Sequence, residues 1–271
     1  MYFAVCLVSQ PAARKKNGKN DLKSRFAGSY FGTVWAFIQP IVTILVYYFV
    51  FGIAMRGGAA SGDGTPFVLY LVSGIVPWMY FQEGLVNGTN AFLEYSSYLV
   101  KKVVFDISVL PVVKLLSALV IHLFFVAFAM ILFALLWVLS GHLLSGNPLL
   151  YDLSFPFDPG HRLHDELCYR LLFRDMGQIV SILLQIGVWL TPVMWDLSFL
   201  NGYSWGSTVM RILKLNPFYY IVHGYRNAFI EQRWFWEDKL LTIYFWAFLI
   251  VCYVFSTWVF NRLKGHFADV L

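Results

Sequence analysis

The sequence predicts an all-α polytopic membrane protein, and three observations carry that reading. Four stretches, Val34–Ala54, Pro66–Leu85, Ile107–Leu139 and Leu240–Phe260, are each 20 or more residues long, and Glu83, Lys114 and His122 are their only acidic, basic or histidine members. A run of that length matches a hydrocarbon core of about 30 Å at about 1.5 Å of rise per helical residue. The composition agrees, with 59% hydrophobic and only 13% charged residues, where a soluble domain carries about a quarter charged. Finally, inside lipid only a helix or a closed barrel satisfies every backbone N–H and C=O, and these unbroken apolar runs have the length of helices.

Charge then orients the chain. The net charge is +5, and Arg14, Lys15, Lys16, Lys19, Lys23 and Arg25 crowd the first 33 residues against Asp21 alone. Cationic residues flanking a first span mark the cytoplasmic side. This is a membrane-surface signal, since no basic soluble module of the kind that binds nucleic acid is present. Cys6, Cys168 and Cys252 are odd in number and widely spaced, so they specify neither a disulfide framework nor a metal site. Met1–Val8 is apolar, but its basic residues follow it instead of preceding it, so it reads as a poor secretory signal and the spans are expected to direct insertion.

Along the chain, Leu22, Phe26 and Tyr30 recur every four residues while Lys23 and Arg25 point elsewhere, the pattern of a helix lying in the headgroup plane. The first span opens on Trp35 as an interfacial anchor and carries Pro40, where a kink is expected. Arg56–Thr65, rich in Gly, reads as an outer turn. The second span holds Gly74 and Pro77-Trp78 and is expected to bend, with Glu83 a carboxylate at the inner water boundary. Asn90–Asp106 is a mixed cytoplasmic segment. Ile107–Leu139, 33 residues, is too long for one untilted span; Lys114 is expected to snorkel to the interface, and His122 to be a packed, hydrogen-bonded core histidine. Beyond the loop Ser140–Pro148, residues 151–174 hold nine Asp, Glu, His and Arg side chains, Asp152 to Arg174, a load no lipid-facing helix carries at a few kcal/mol per mid-membrane charge. Gln178–Trp195 resumes as a span. Val209–Ile230, with Arg211, Lys214 and Arg226, is too polar to cross simply and reads as a re-entrant or interfacial pair of short helices. The last span ends in the basic tail of Arg262, Lys264 and His266.

Catalytic signatures are missing. No phosphate-cradling Gly-rich loop, G-x-S-x-G elbow or H-E-x-x-H helix occurs. The His161-x-x-His164-Asp165-Glu166 cluster in a polar loop is weak support for a metal. The chain therefore reads as a conduit or docking platform and not as a catalyst.

Several motifs, in order, resemble one family. Leu22-Lys23-Ser24-Arg25-Phe26-Ala27-Gly28-Ser29 runs into Trp35-Ala36-Phe37-Ile38-Gln39-Pro40, and Gly74-Ile75-Val76-Pro77-Trp78 and Tyr98-Leu99-Val100-Lys101-Lys102-Val103-Val104-Phe105 follow. Phe173–Val180, Leu190-Thr191-Pro192, Leu215-Asn216-Pro217-Phe218 with Tyr225-Arg226, and Leu263–Leu271 continue the series. Together they resemble the membrane subunit of ABC-2-type exporters of lipid-linked polysaccharides, O-antigen above all. The resemblance covers about residues 20–140 and 173–271.

It implies an ABC-2 exporter transmembrane fold with an N-terminal amphipathic helix and periplasmic re-entrant helices. Residues 1–33 would form a cytoplasmic N-terminal and interface region. Residues 34–271 would form the transmembrane domain, with six spans at about 34–54, 66–87, 107–139, an atypical 149–172, 178–196 and 240–260. It also implies a homodimer in the bacterial inner membrane, in contact with membrane lipids, that exports a lipid-linked polysaccharide and rests on two copies of a separate ABC ATPase subunit. ATP and Mg would be held by that partner, and this chain would bind no cofactor. Tyr98, Leu99, Lys101, Lys102 and Phe105 would couple to the ATPase; Leu22, Arg25 and Phe26 belong to the interface helix; Asn216, Pro217, Tyr225 and Arg226 mark the gate region. Aromatic rings stack sequence-tolerantly on sugar faces, so Trp35, Tyr47, Trp78, Tyr80 and Trp189 are candidates for the substrate path, although most aromatics serve as anchors and packing.

Two departures stand out. Where the family has Phe-Pro, this chain has Phe105-Asp106, and where the family has its fourth span, residues 149–171 are polar. Five spans would place the basic tail outside, against the positive-inside rule, so residues 151–172 read as a divergent or frame-disturbed replacement of a span. Within the same class, teichoic acid, capsule or a small molecule are alternative cargoes. A membrane-embedded enzyme of glycan or lipid assembly, using Asp158, Asp165 and Glu166, and a non-transporting scaffold are the rivals of other classes.

Overall fold

Helix dominates because the apolar runs leave the backbone no other way to satisfy itself, and among the described residues there is no β-strand. The computed structural model describes residues 29–54, 65–99, 110–136 and 176–263, apart from Gln232 and Phe235. The interface-helix residues Leu22, Arg25 and Phe26, the coupling residues Lys101, Lys102 and Phe105, and the atypical 149–172 segment all lie outside these residues.

Helix α1 (Trp35–Tyr47) is led in by a 3₁₀ turn at Gly32–Val34 and widens into a π-helical stretch, Tyr48–Ala54. Helix α2 (Phe67–Leu99) has 33 residues, about 50 Å of rise. Helix α3 spans Leu110–Leu135 and α4 spans Met176–Leu190. A 3₁₀ turn, Leu197–Gly202, then leads to two short helices, α5 (Gly206–Lys214) and α6 (Pro217–Arg226), the latter extended by a π turn to Glu231. Helix α7 (Lys239–Leu263) ends the described chain. By length and composition, Gly32–Ala54 and Lys114–Leu135 are the described helices that qualify as membrane spans, and Gly177–Leu190 and Lys239–Phe255 are shorter apolar helices.

Helix α2 is the hub. It packs most extensively on α3 and then on α6 and α4. Leu69, Leu71, Val72, Ile75 and Val76 of α2 are buried together with Ile121, Phe125, Ala129 and Phe133 of α3 and Val222, Tyr225 and Phe229 from the α6 region. The outer faces of α1, α4 and α7 remain apolar and exposed, as with Leu45, Phe49, Ile182, Leu183, Ile250 and Val254. Water would not tolerate so much contiguous apolar surface, whereas lipid does.

Three expectations change. Helix α2 runs on through Pro77 to Leu99, about three turns beyond the expected end, so the mixed segment begins as helix. The 178–196 segment is helical only to Leu190, and Thr191–Trp195 turns, because Pro192 offers no amide to continue the ladder. Lys114 of α3, expected to snorkel, is instead buried, 4% exposed. Glu83 is half-buried on α2.

Candidate functional site

The described polar side chains gather where α6 meets α2, α3 and the turn after α4. Helix α6 starts there for a local reason. Asn216 is extended, its Oδ1 accepts from the Phe218 amide at 3.0 Å, and Pro217 takes the first helical position. An Asn cap satisfies an otherwise orphaned amide, and Pro at that position forgoes an amide the helix has no use for. The same Asn216 uses its Nδ2 to donate to Thr191 Oγ1 at 2.8 Å, so one residue caps α6 and ties it to the end of α4.

At the other end of α6, consecutive side chains reach in two directions. Tyr225 Oη lies 3.0 Å from His122 Nε2 on α3, and the His122 ring stacks on Tyr80 of α2 at 4.5 Å. His122 is thus the packed, hydrogen-bonded histidine expected. Arg226 turns toward the post-α4 turn instead. Its Nη2 donates to the Val193 carbonyl at 2.8 Å, and the guanidinium lies 3.7 Å over the Tyr70 ring. Tyr70 in turn donates through its hydroxyl to Asp196 Oδ2 at 3.0 Å and to the Trp195 carbonyl at 3.1 Å. Asp196 also accepts from the Ser198 amide, which caps the 3₁₀ turn.

The cluster is tight at Gly74. A Cβ there would stand 2.6 Å from the Val193 carbonyl oxygen and 3.0 Å from Arg226 Nη2. Glycine is what lets the turn and the guanidinium approach α2. Arg226 is 8% exposed, and its Nε, like the Oδ1 of Asn227, has no partner among the described residues. A buried cation needs compensation, and here it comes from the carbonyl, the π face and the nearby Asp196 carboxylate.

A third tie faces α7. Asp238 Oδ2 accepts from His223 Nε2 at 3.0 Å and from Asn227 Nδ2 at 3.1 Å, and Tyr220 donates to Thr242 Oγ1 at 3.1 Å. Burial pushes the His223 pKa down from its ordinary value, against the upward pull of Asp238 and Glu231, so the ring is neutral near pH 7. Among the described residues no three His, Cys, Asp or Glu side chains converge as metal ligands. The chemistry of the cluster is positional: hydrogen bonds from Asn216, Tyr225, Arg226, His223 and Tyr220, with the guanidinium of Arg226 over Tyr70, fix α6 against α2, α3, the turn after α4 and the start of α7.

Asn216, Pro217, Tyr225 and Arg226, expected to mark a gate, all lie on α6 or its cap, the first two at its start and the last two at its end. The structure does not bring the path candidates onto one surface. Trp78 and Tyr80 are 3% and 2% exposed, and both serve helix packing: Trp78 meets Phe218 edge-on at 5.0 Å, and Tyr80 carries His122. Tyr47 is half-buried, 6.3 Å from Phe51 ring to ring, and Phe51 is 6.3 Å from Trp189. Trp35 and Trp189 are exposed. Tyr98 and Leu99 close α2. Sequence reading passed over Tyr70, Asp196, His223 and Asp238. The usable signal was their polarity at the edges of apolar runs, but nothing in the spacing tells which of them meet.

No family model matches the chain. Among curated proteins, an O-antigen export system permease protein RfbA of Klebsiella pneumoniae is 26% identical over 256 residues, 93% of this chain and 92% of that protein. A protein of the same name from Myxococcus xanthus is 27% identical over 257 residues, again 93% and 92%. A second Klebsiella pneumoniae protein of that name is 24% identical over 254 residues. The likeness to O-antigen export permeases, first carried by separate motifs, thus extends over 93% of the chain.

Proposed function

We propose that this chain is the membrane permease of an ATP-driven exporter that moves a lipid-linked polysaccharide of O-antigen type from cytoplasm to periplasm across a bacterial inner membrane. The observation that carries the proposal is the similarity to O-antigen export permeases over 93% of the chain. The apolar outer faces of α1, α4 and α7 support membrane residence, and the polar ties of α6 support a fixed element at the path.

In this reading six spans cross the bilayer, two copies of the chain enclose the path, and α5 and α6 form its periplasmic gate. The exposed Trp35 and Trp189, with the half-buried Tyr47, offer rings to the passing sugars, while Trp78 and Tyr80 brace the helices. The segment from Tyr98 through Lys101 and Lys102 to Phe105 docks on a separate ATPase subunit that binds ATP and Mg. Leu22, Arg25 and Phe26 lie at the membrane surface where the lipid carrier approaches. The chain itself performs no covalent chemistry.

The test is co-purification of the tagged chain with the ATPase encoded beside it, together with export in cells deleted for the gene. Association that is lost in a Lys101→Glu, Lys102→Glu variant, and surface polysaccharide restored by the unaltered chain, are the expected results. Failure to associate and to restore export would sink the proposal.

A further inference from the structure

Helix α5 has an outward arc that divides in two. With about 100° per residue, the buried positions Gly206 and Leu213 share one side, and the exposed residues sweep the other. Along that sweep Lys214, Ser207 and Arg211 come first, then Leu215, Thr208 and Ile212. Ile212 and Leu215 are each 59% exposed. Just upstream, Tyr203 and Trp205 stack at 4.8 Å and are also exposed. Residues 197–216 contain Arg211 and Lys214 but no Asp or Glu, and neither cation has an acidic partner among the described residues.

The level of this helix is set by its neighbours. Tyr244, in the second turn of α7, donates to the Leu215 carbonyl at 2.6 Å, and Asn216 binds Thr191 just past the end of α4. So α5 sits where one apolar helix stops and another starts, and the first turns of α7 carry exposed lipid-type side chains such as Leu240 and Ile243. An apolar helix emerges from hydrocarbon into the headgroup layer. A cationic edge, an apolar edge and aromatic rings at that depth are what a helix lying in an anionic interface requires.

We infer that the Tyr203–Leu215 face is a docking surface for anionic phospholipid headgroups, with Arg211 and Lys214 on lipid phosphate and Ile212 and Leu215 among the upper acyl carbons. The short helix pair is thereby held by the bilayer on one side and by the α6 ties on the other. The inference rests on membrane residence and not on the identity of the cargo.

The test uses the full chain with Cys6, Cys168 and Cys252 replaced by Ala and an NBD fluorophore on Ile212→Cys. It is reconstituted in nanodiscs of phosphatidylcholine alone or with phosphatidylglycerol. Emission should be blue-shifted, quenched by doxyl lipid and protected from iodide, with a further blue shift when phosphatidylglycerol is present. That further shift should vanish in the Arg211→Gln, Lys214→Gln double variant, since each cation near an anionic surface contributes about fivefold in partitioning. If labelling at 212 prevents recovery of monodisperse protein, Leu215→Cys gives the same readout. Emission at the water value with full iodide quenching in both bilayers would overturn the inference. So would efficient disulfide formation between copies at position 212, which assigns the face to a second copy, or protection conferred by added polysaccharide and not by lipid. None of these outcomes involves the ATPase or export, so failure here leaves the transport proposal standing.

Discussion

The guanidinium of Arg226 rests 3.7 Å over the ring of Tyr70 while the hydroxyl of that tyrosine donates to Asp196. Tyr70 therefore stands between a buried cation and a carboxylate and serves each with a different part of its side chain. Its ring and its hydroxyl can be removed separately. Tyr70→Phe keeps the ring under Arg226 and loses the bonds to Asp196 and Trp195, a cost of about 1 kcal/mol. Tyr70→Leu also removes the π face and should cost about 1 kcal/mol more. Thermal unfolding in detergent measures both, and equal losses would show that the ring does not support the cation.

Arg226→Lys should not be a mild change. An ammonium lacks the planar face that lies over Tyr70 and the fixed fork that reaches Val193. We expect a loss of about 1–3 kcal/mol, with a larger loss for Arg226→Ala. A melting temperature unchanged by the lysine variant would show that charge alone is what the cluster needs.

Gly74→Ala pits propensity against space. Alanine gains up to about 1 kcal/mol in a helix interior, but its Cβ would meet the Val193 carbonyl oxygen at 2.6 Å. Backbone cannot yield as a side chain can, so a net destabilisation of about 1–3 kcal/mol is expected. Gly187→Ala is the control, because its Cβ would meet only the Trp78 ring, at 3.0 Å, and should cost less. Reversal of that order in unfolding measurements would contradict the packing described for the turn.

His122 and Tyr225 should behave as one unit. The single changes His122→Phe and Tyr225→Phe each break the 3.0 Å contact, so the double variant should be more stable than additivity predicts, by about 0.5–3 kcal/mol. Strict additivity in the cycle would mean that α3 and α6 are held by apolar packing alone.

Acid should loosen the α6–α7 tie. Burial lowers the His223 pKa in the folded protein, so between its folded value and the ordinary value of about 6.5 the unfolded chain binds the extra proton. The contribution of neutral His223 is fully present above about pH 6.5 and is lost as pH falls through the lowered folded value. His223→Gln should flatten that limb of a stability–pH curve, and an identical limb in the variant would assign the acid sensitivity to other groups.

Legibility followed the physics of each residue. The apolar runs were visible because lipid and buried packing both select against charge over 20 residues at a time, a signal a window can sum. The short polar helices were legible within Val209–Ile230 because their charges break the apolar run, but Asn216-Pro217 was not marked as the cap that starts α6, although a cap and its proline are local. Lys114 went the other way: sequence position cannot separate a lysine that snorkels from one that is buried. The aromatic candidates divided for the same reason, since Trp78 and Trp189 have like side chains and opposite exposure.

The sequence by itself determined that this is a helical membrane chain, which family it resembles and where the short polar helices lie, because hydropathy and motifs are written over a few adjacent residues. Only the tertiary structure decided that Tyr70 meets Arg226 and Asp196, that His122 meets Tyr225, and that Gly74 must be bare. Those pairs lie 103 to 126 positions apart in the chain where distances are hydrogen-bonded, and contact at such separation depends on how α2, α3 and α6 pack, which no local pattern encodes.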